Sequence, residues 1–282
     1  MSALHASAPS VDARDADAAT EIVDLARYPI LDAGSAGGRA LVEDCRRQLQ
    51  ATGSCLLHDF VLPAQIAQMA AEAAEVAPLA FRAEGVRRGT AYLEAPNEDF
   101  PPDHPRRRLQ TSSVGAVAYD LIPPAHLLRR LYESPGMLAF LARTLGVERL
   151  YRYADPLGAL NVAVMGAGEH LFWHFDQTDF VVSILLRDCE AGGEFEYVPN
   201  IRTPTQENYD RVGRLLDGDR SEVVTLEHRP GTLALFQGRY SIHRVAPILG
   251  ATDRLMGLLG YDTKPDTFSS ERLKLRRYGR LN

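Results

Sequence analysis

The chain has 282 residues, 45% hydrophobic and 24% charged, which is enough for one large domain or two small ones with a substantial core. Its net charge of −6 leaves no electrostatic footprint for DNA or RNA, and no apolar run is long enough to suggest a membrane span. Cys45, Cys55 and Cys189 have no C-x-x-C spacing and there is no signal-peptide h-region, so a protein of the reducing cytoplasm is expected, without disulfides or a cysteine zinc site.

Residues 1–20 are rich in Ala, Ser and Asp with little to bury, and read as a disordered tail. A helical region is expected over 21–150. Leu41, Val42, Cys45 and Leu49 recur at helical spacing, and Gly53 stops that helix. Cys55 to Phe60 reads as a short strand. Pro63 opens an alanine-rich amphipathic helix running to about Ala80. This helix–strand–helix opening is expected to pack outside a larger sheet. Residues 82–113 are proline-rich, charged and aperiodic, the pattern of a lid loop. Within it, Arg107 and Arg108 are either a solvated patch or candidates to grip a substrate carboxylate through a bidentate fork. Helix returns between Leu121 and Leu145, with Pro123-Pro124 and Ser134-Pro135 at plausible starts.

From Tyr151 the character changes. About eight short β-type runs follow up to Tyr261, separated by turns such as Gly166-Ala167-Gly168, Ala191-Gly192-Gly193 and Pro230-Gly231. They predict a mainly β core over 151–265, a double-sheet jelly roll flanked by the helices of the first half. A polar, partly helical insertion interrupts it at about 203–219. Residues 266–282 form a basic tail that can end in a last helix.

His174 and Asp176 stand two residues apart at the mouth of the apolar run Val181 to Leu186. On an extended chain that spacing points both side chains to one face. A third ligand is available in His243, at the start of another strand-like segment. Two histidines and one carboxylate form a facial triad suited to iron(II), with three positions open for chemistry. Arg254 follows His243 by 11 residues, across a turn. An antiparallel return would bring it back near the metal at a distance one small diacid can span. A buried arginine needs an anionic partner, and the far carboxylate of 2-oxoglutarate suits.

The H-x-D…H…R order resembles the iron(II)/2-oxoglutarate-dependent oxygenases. The longer runs Trp173 to Asp176, Gly192 to Arg202 and Arg229 through Val245 are similar to the free-amino-acid halogenases and their sibling amino-acid hydroxylases. The resemblance covers roughly residues 150 to 265. It implies a double-stranded β-helix (jelly roll, cupin-like), with His174, Asp176 and His243 on iron(II) and Arg254 on the cosubstrate. It further implies use of O2, release of succinate and CO2, and ascorbate as a reductant in vitro. In the halogenating members a small residue replaces the acid and halide fills the vacated position. Asp176 therefore implies hydroxylation of an unactivated C–H in a free amino acid or similar small molecule.

Other roles stay open on the sequence. Asn161 is a candidate for the cosubstrate or for a neighbouring strand. Gln177 and Asp179 are candidates for a substrate ammonium, and His170 and Trp173 are candidate substrate contacts or, equally, loop and packing residues. Arg244 is expected to face away from its ligating neighbour into an ion pair. The same cofactors could serve desaturation or ring closure. A zinc hydrolase uses a similar ligand set, and a cupin-like binding protein needs no triad. A small-molecule partner is expected, with no nucleic acid or membrane, and exposed first-half helices could pair in a homodimer.

Overall fold

The computed structural model describes residues 17–83 and 87–282. Residues 1–16 of the expected tail and residues 84–86 of the expected lid lie outside the described residues. Two antiparallel sheets carry the architecture. The larger has six strands in the order Ser54–Leu57, Leu233–Phe236, Val181–Arg187, Arg254–Leu259, Leu160–Met165, Gly115–Val117. The smaller has four, in the order Val224–Leu226, Phe195–Val198, Ile242–Val245, Leu171–His174.

Period-two alternation assigns the faces. Val182, Ile184, Leu186, Leu233, Leu235 and Leu255 share one core with Met69, Leu128, Leu131 and Leu141 of the helices. Their neighbours Ala163, Leu185 and Met256 cluster separately on the opposite face. That face meets the smaller sheet, where Met165 packs with Val245 and Ile248, and Phe236 with Tyr197 and Leu226. Strands buried on both faces read as continuous apolar runs, which is why Val181 to Leu186 shows no polar alternation.

The helices follow their sequence signals. Ala36–Thr52 starts on Ser35, whose hydroxyl accepts from Gly38 N at 2.9 Å, and ends at Gly53 with φ of +71°. Pro63–Val76 has proline in its first turn. It stops earlier than the expected Ala80, passing into a 3-10 turn at Ala77–Leu79, because Pro78 has no N–H to continue the ladder. Leu127–Glu133 and Pro135–Leu145 are split at Ser134, which caps the second. Gly257 lets the first of these close on the sheet, since a Cβ there would lie 2.9 Å from Leu128 methyls.

Three further expectations change. Asp17–Thr20 are not tail: Ala19–Ile22 is a short helix with Ala19 and Ile22 fully buried, and the Asp17 carboxylate accepts from Gly136 N at 2.6 Å. Ser54–Leu57 does not pack outside the sheet but completes its edge, pairing with Leu233–Phe236 and covering backbone groups that would otherwise be open. The aperiodic stretch contains a hairpin, Arg87–Gly89 with Gln110–Ser112, which lies beside Leu171–His174 through Gln110 Nε2 donating to Trp173 O at 2.9 Å. The strand Ile242–Val245 ends at Val245. Ile248–Leu249 pairs with Ala191–Gly192. The insertion carries the helix Tyr209–Leu216, and the chain ends on Glu271–Tyr278. Among the described residues no helix is long and apolar enough to cross a membrane.

Candidate metal centre

His174 ends its strand and His243 stands directly opposite it, the two being Cα partners in the antiparallel ladder. Cross-strand partners on one face bring their side chains together, and the imidazole centroids are 4.2 Å apart. Asp176 lies beyond the strand end, where Phe175 N donates to Ala91 O at 2.7 Å and Asp176 N to Gly238 O at 3.0 Å. These two backbone bonds turn the carboxylate back toward the histidines. Asp176 Oδ1 is 3.9 Å from His174 Nε2, and Oδ2 is 3.6 Å from His243 Nε2. One ligand atom from each of the three residues lies within 4.8 Å of the others.

The hydrogen bonds set the tautomers. His174 Nδ1 is 2.8 Å from Phe172 O and His243 Nδ1 is 3.0 Å from Ser241 O, so each Nδ1–H donates to a carbonyl and each Nε2 lone pair faces the centre. Burial, then the neighbouring His243, pushes His174 down to about 4, keeping the imidazole neutral and able to ligate. Asp176 Oδ2 is buried without a hydrogen-bond partner. A buried carboxylate oxygen left bare between two imidazole nitrogens fits a metal cation as its partner. Gly238 makes the arrangement possible, because a Cβ there would sit 1.7 Å from Asp176 Oδ2. With two nitrogens and one carboxylate supplied, a six-coordinate ion keeps positions for other ligands.

Arg254 opens the strand Arg254–Leu259 and is only 3% exposed. Burial pulls its pKa down, and among the described residues no carboxylate lies within ion-pair distance of the guanidinium. His228 is a second such group, and sequence reasoning missed it. Both its ring nitrogens are buried without a hydrogen-bond partner. Burial, followed by the charge of Arg254, pushes it down to about 3. Its ring meets Phe195 edge-on at 5.8 Å, and Phe195 in turn stacks on His243 at 5.3 Å. An aromatic wall thus runs from the metal ligands to His228, whose two ring nitrogens lack partners. A histidine between a strand and a Pro-Gly turn carries no sequence pattern that could have marked it.

Asn161 is buried on the large sheet, and its Oδ1 accepts from Arg277 Nη2 at 2.9 Å. Arg277, on the last helix, was also missed. Its charge reaches His174, and its Nε is buried without a partner.

The remaining candidates lie elsewhere. Trp173 alternates with His174 and so faces away, packing against Ile201, Val212 and Leu215 of the insertion. The Gln177 side chain is exposed, and Asp179 is paired with Arg239. His170 Nε2 is 2.9 Å from Thr111 O, in a loop contact. Arg107 donates to Phe100 O at 3.0 Å, and Arg108 pairs with Asp217 at 2.7 Å. Arg244 is paired with Glu196 and lies over the Trp173 ring, away from the centre.

A family model described as Halogenase D matches residues 38–273, most of the chain. The chain belongs to the Halogenase D family. No curated protein matches the sequence. Among solved structures, the non-heme alpha ketoglutarate dependent epimerase SnoN from nogalamycin biosynthesis is 16% identical with a TM-score of 0.53, covering 79% of this chain and 81% of that one. AviO1 from Streptomyces viridochromogenes Tue57 is 19% identical with a TM-score of 0.51, over 78% and 94%. A prolyl hydroxylase from Trichoplax adhaerens is 16% identical, also at 0.51, over 80% and 91%. This Halogenase D member therefore has the mainly β fold with flanking helices of such enzymes.

Proposed function

We propose that this Halogenase D member is an iron(II)/2-oxoglutarate-dependent oxygenase that hydroxylates an unactivated C–H of a free amino acid or small amino-acid-like molecule. On this reading the two sheets are a double-stranded β-helix. The observation that carries the proposal is the complete His174–Asp176–His243 set, with each Nδ1 held by a backbone carbonyl and with a bare carboxylate oxygen. Iron and 2-oxoglutarate, when bound, supply the oxidation, in which O2 converts R–H and 2-oxoglutarate into R–OH, succinate and CO2.

The chain's own part is placement. His174 and His243 would offer Nε2 to the metal while their Nδ1 contacts with backbone carbonyls fix the ring orientation. Asp176 contributes the negative charge and occupies the position a halide would need, which is why hydroxylation is favoured over the reaction of the family's name. Arg254 takes the far carboxylate of 2-oxoglutarate, with His228 as an additional donor, so that Arg254 gains the anionic partner and His228 the hydrogen-bond partner that their burial demands. Phe195 and Phe236, whose rings lie 5.3 and 4.9 Å from His243, keep water from that side of the metal.

The test is incubation of the purified protein with iron(II), ascorbate, 2-oxoglutarate, O2, chloride and a panel of free amino acids. The expected products are succinate and an amino acid heavier by one oxygen. A chlorinated product without the hydroxylated one would overturn the assignment of Asp176, and succinate formation unaffected by iron removal would overturn the oxygenase reading.

A further inference from the structure

The last helix, Glu271–Tyr278, packs against the edge strand Gly115–Val117 of the larger sheet, and its Arg277 reaches in to Asn161. It is pinned on its buried side by Tyr278, which clusters with Ala116, Ala118 and Leu157, and by Lys274, whose Nζ is 3.1 Å from Asp155. Asp155 is fully committed there, since it also accepts from Leu157 N at 3.0 Å and Ser269 N at 2.9 Å. The two arginines next to Tyr278 on this helix have no such acid. Arg277 is half-buried, and one Nη donates to the neutral amide oxygen of Asn161, while its Nε is buried with no partner. Arg276 is half-buried as well, and burial pulls its pKa down. Its Nη2 reaches the spot where the Phe172 ring crosses Gly89: a Cβ on Gly89 would lie 3.4 Å from the first and 2.8 Å from the second. Phe172 shares the inner face with His174, their rings 5.8 Å apart.

Asn161 on the larger sheet therefore holds the guanidinium of Arg277, while that of Arg276 lies by the Phe172 ring, which neighbours His174. Among the described residues neither group has a carboxylate within ion-pair distance. Partly desolvated guanidinium groups without an anion are costly unless a ligand supplies one. We infer that Arg277 anchors the free carboxylate of the substrate, so that the C-terminal helix and not the Arg107–Arg108 run selects for a small acid. Planar guanidinium donors match the two oxygens of a carboxylate, and Asn161 holds Arg277 in place by accepting one of its N–H groups. This rests on the oxygenase reading, since it presumes a substrate brought to the metal.

The test uses the full chain loaded with nickel(II) and 2-oxoglutarate, which blocks turnover. Binding is measured by calorimetry for the free L-amino acids and for their carboxamides. At least one amino acid is expected to bind, with its carboxamide bound far more weakly. Arg277→Gln is expected to weaken the acid roughly 100-fold and to abolish the preference over the carboxamide. Its nickel-dependent affinity for 2-oxoglutarate should stay within about twofold. Arg277→Lys, which keeps the charge but loses the fork, should fall between the two and serves if the glutamine variant does not fold. An acid-over-carboxamide preference that survives in both variants overturns the assignment, as does a wild type that binds no amino acid or binds acid and carboxamide alike. Failure of the wild type to bind 2-oxoglutarate in the presence of nickel is a different result, and overturns the oxygenase reading itself.

Discussion

Gly238 offers a sharp test of the metal centre, because it lies outside the ligand set and yet fixes one ligand. An alanine Cβ would stand 1.7 Å from Asp176 Oδ2, 2.6 Å from Asp176 Cγ and 3.0 Å from His243 Cε1. Carbon and oxygen need about 3.5 Å for ordinary contact, so the carboxylate must retreat by roughly 1.5 Å or more. Metal–ligand distances tolerate only about 0.2 Å, so Asp176 leaves the coordination sphere. Overpacking of this kind costs about 1–3 kcal/mol. Gly238→Ala should therefore lose at least ~10-fold in metal affinity and melt several degrees lower, which titration with nickel(II) and thermal unfolding of the metal-free protein would read. Asp176→Gly removes the atoms the methyl group strikes. In that background Gly238→Ala should cost the metal-free protein little stability, a non-additivity that isolates this one contact. A Gly238→Ala protein with wild-type metal affinity, or one whose stability loss is unchanged by Asp176→Gly, would refute the placement of Asp176.

Asp176→Ala should abolish hydroxylation while two histidines retain weak iron binding; undiminished hydroxylated product by mass spectrometry would remove Asp176 from the ligand set. Arg254→Gln should raise the 2-oxoglutarate concentration needed for half-maximal succinate formation by about 100-fold, and an unchanged requirement would end its assigned role. His228 adds a pH signature. Its folded pKa is pushed from the usual 6.5 to about 3, so between those values the unfolded chain holds a proton that the folded chain does not. That contribution to stability is complete above about 6.5 and is lost as the pH falls toward about 3. Relative to His228→Gln, the metal-free wild type should lose melting temperature across this window. Parallel curves for the two proteins would show that His228 is not buried neutral.

The sequence by itself determined the local parts of this protein. Gly53 and the Ser134-Pro135 pair mark helix ends in the sequence because a left-handed residue, a capping hydroxyl and a proline act on their own neighbours. The apolar runs Leu160 to Met165 and Val181 to Leu186 read as strands because a sheet buried on both faces needs nothing else. His174 and Asp176 were legible as a pair because their chemistry is compressed into three positions. Only the tertiary structure decided which distant groups share a centre. It set His243 across from His174 by ladder register, threaded Gly238 past Asp176, and carried His228 and Arg277 from a turn and a terminal helix to places without anions. It also gave the arginines of the aperiodic segment their neighbours, since Asp217 and the Phe100 carbonyl reach Arg108 and Arg107 only once the chain is folded. No periodicity encodes such meetings, because they depend on how sheets pack and not on spacing along the chain.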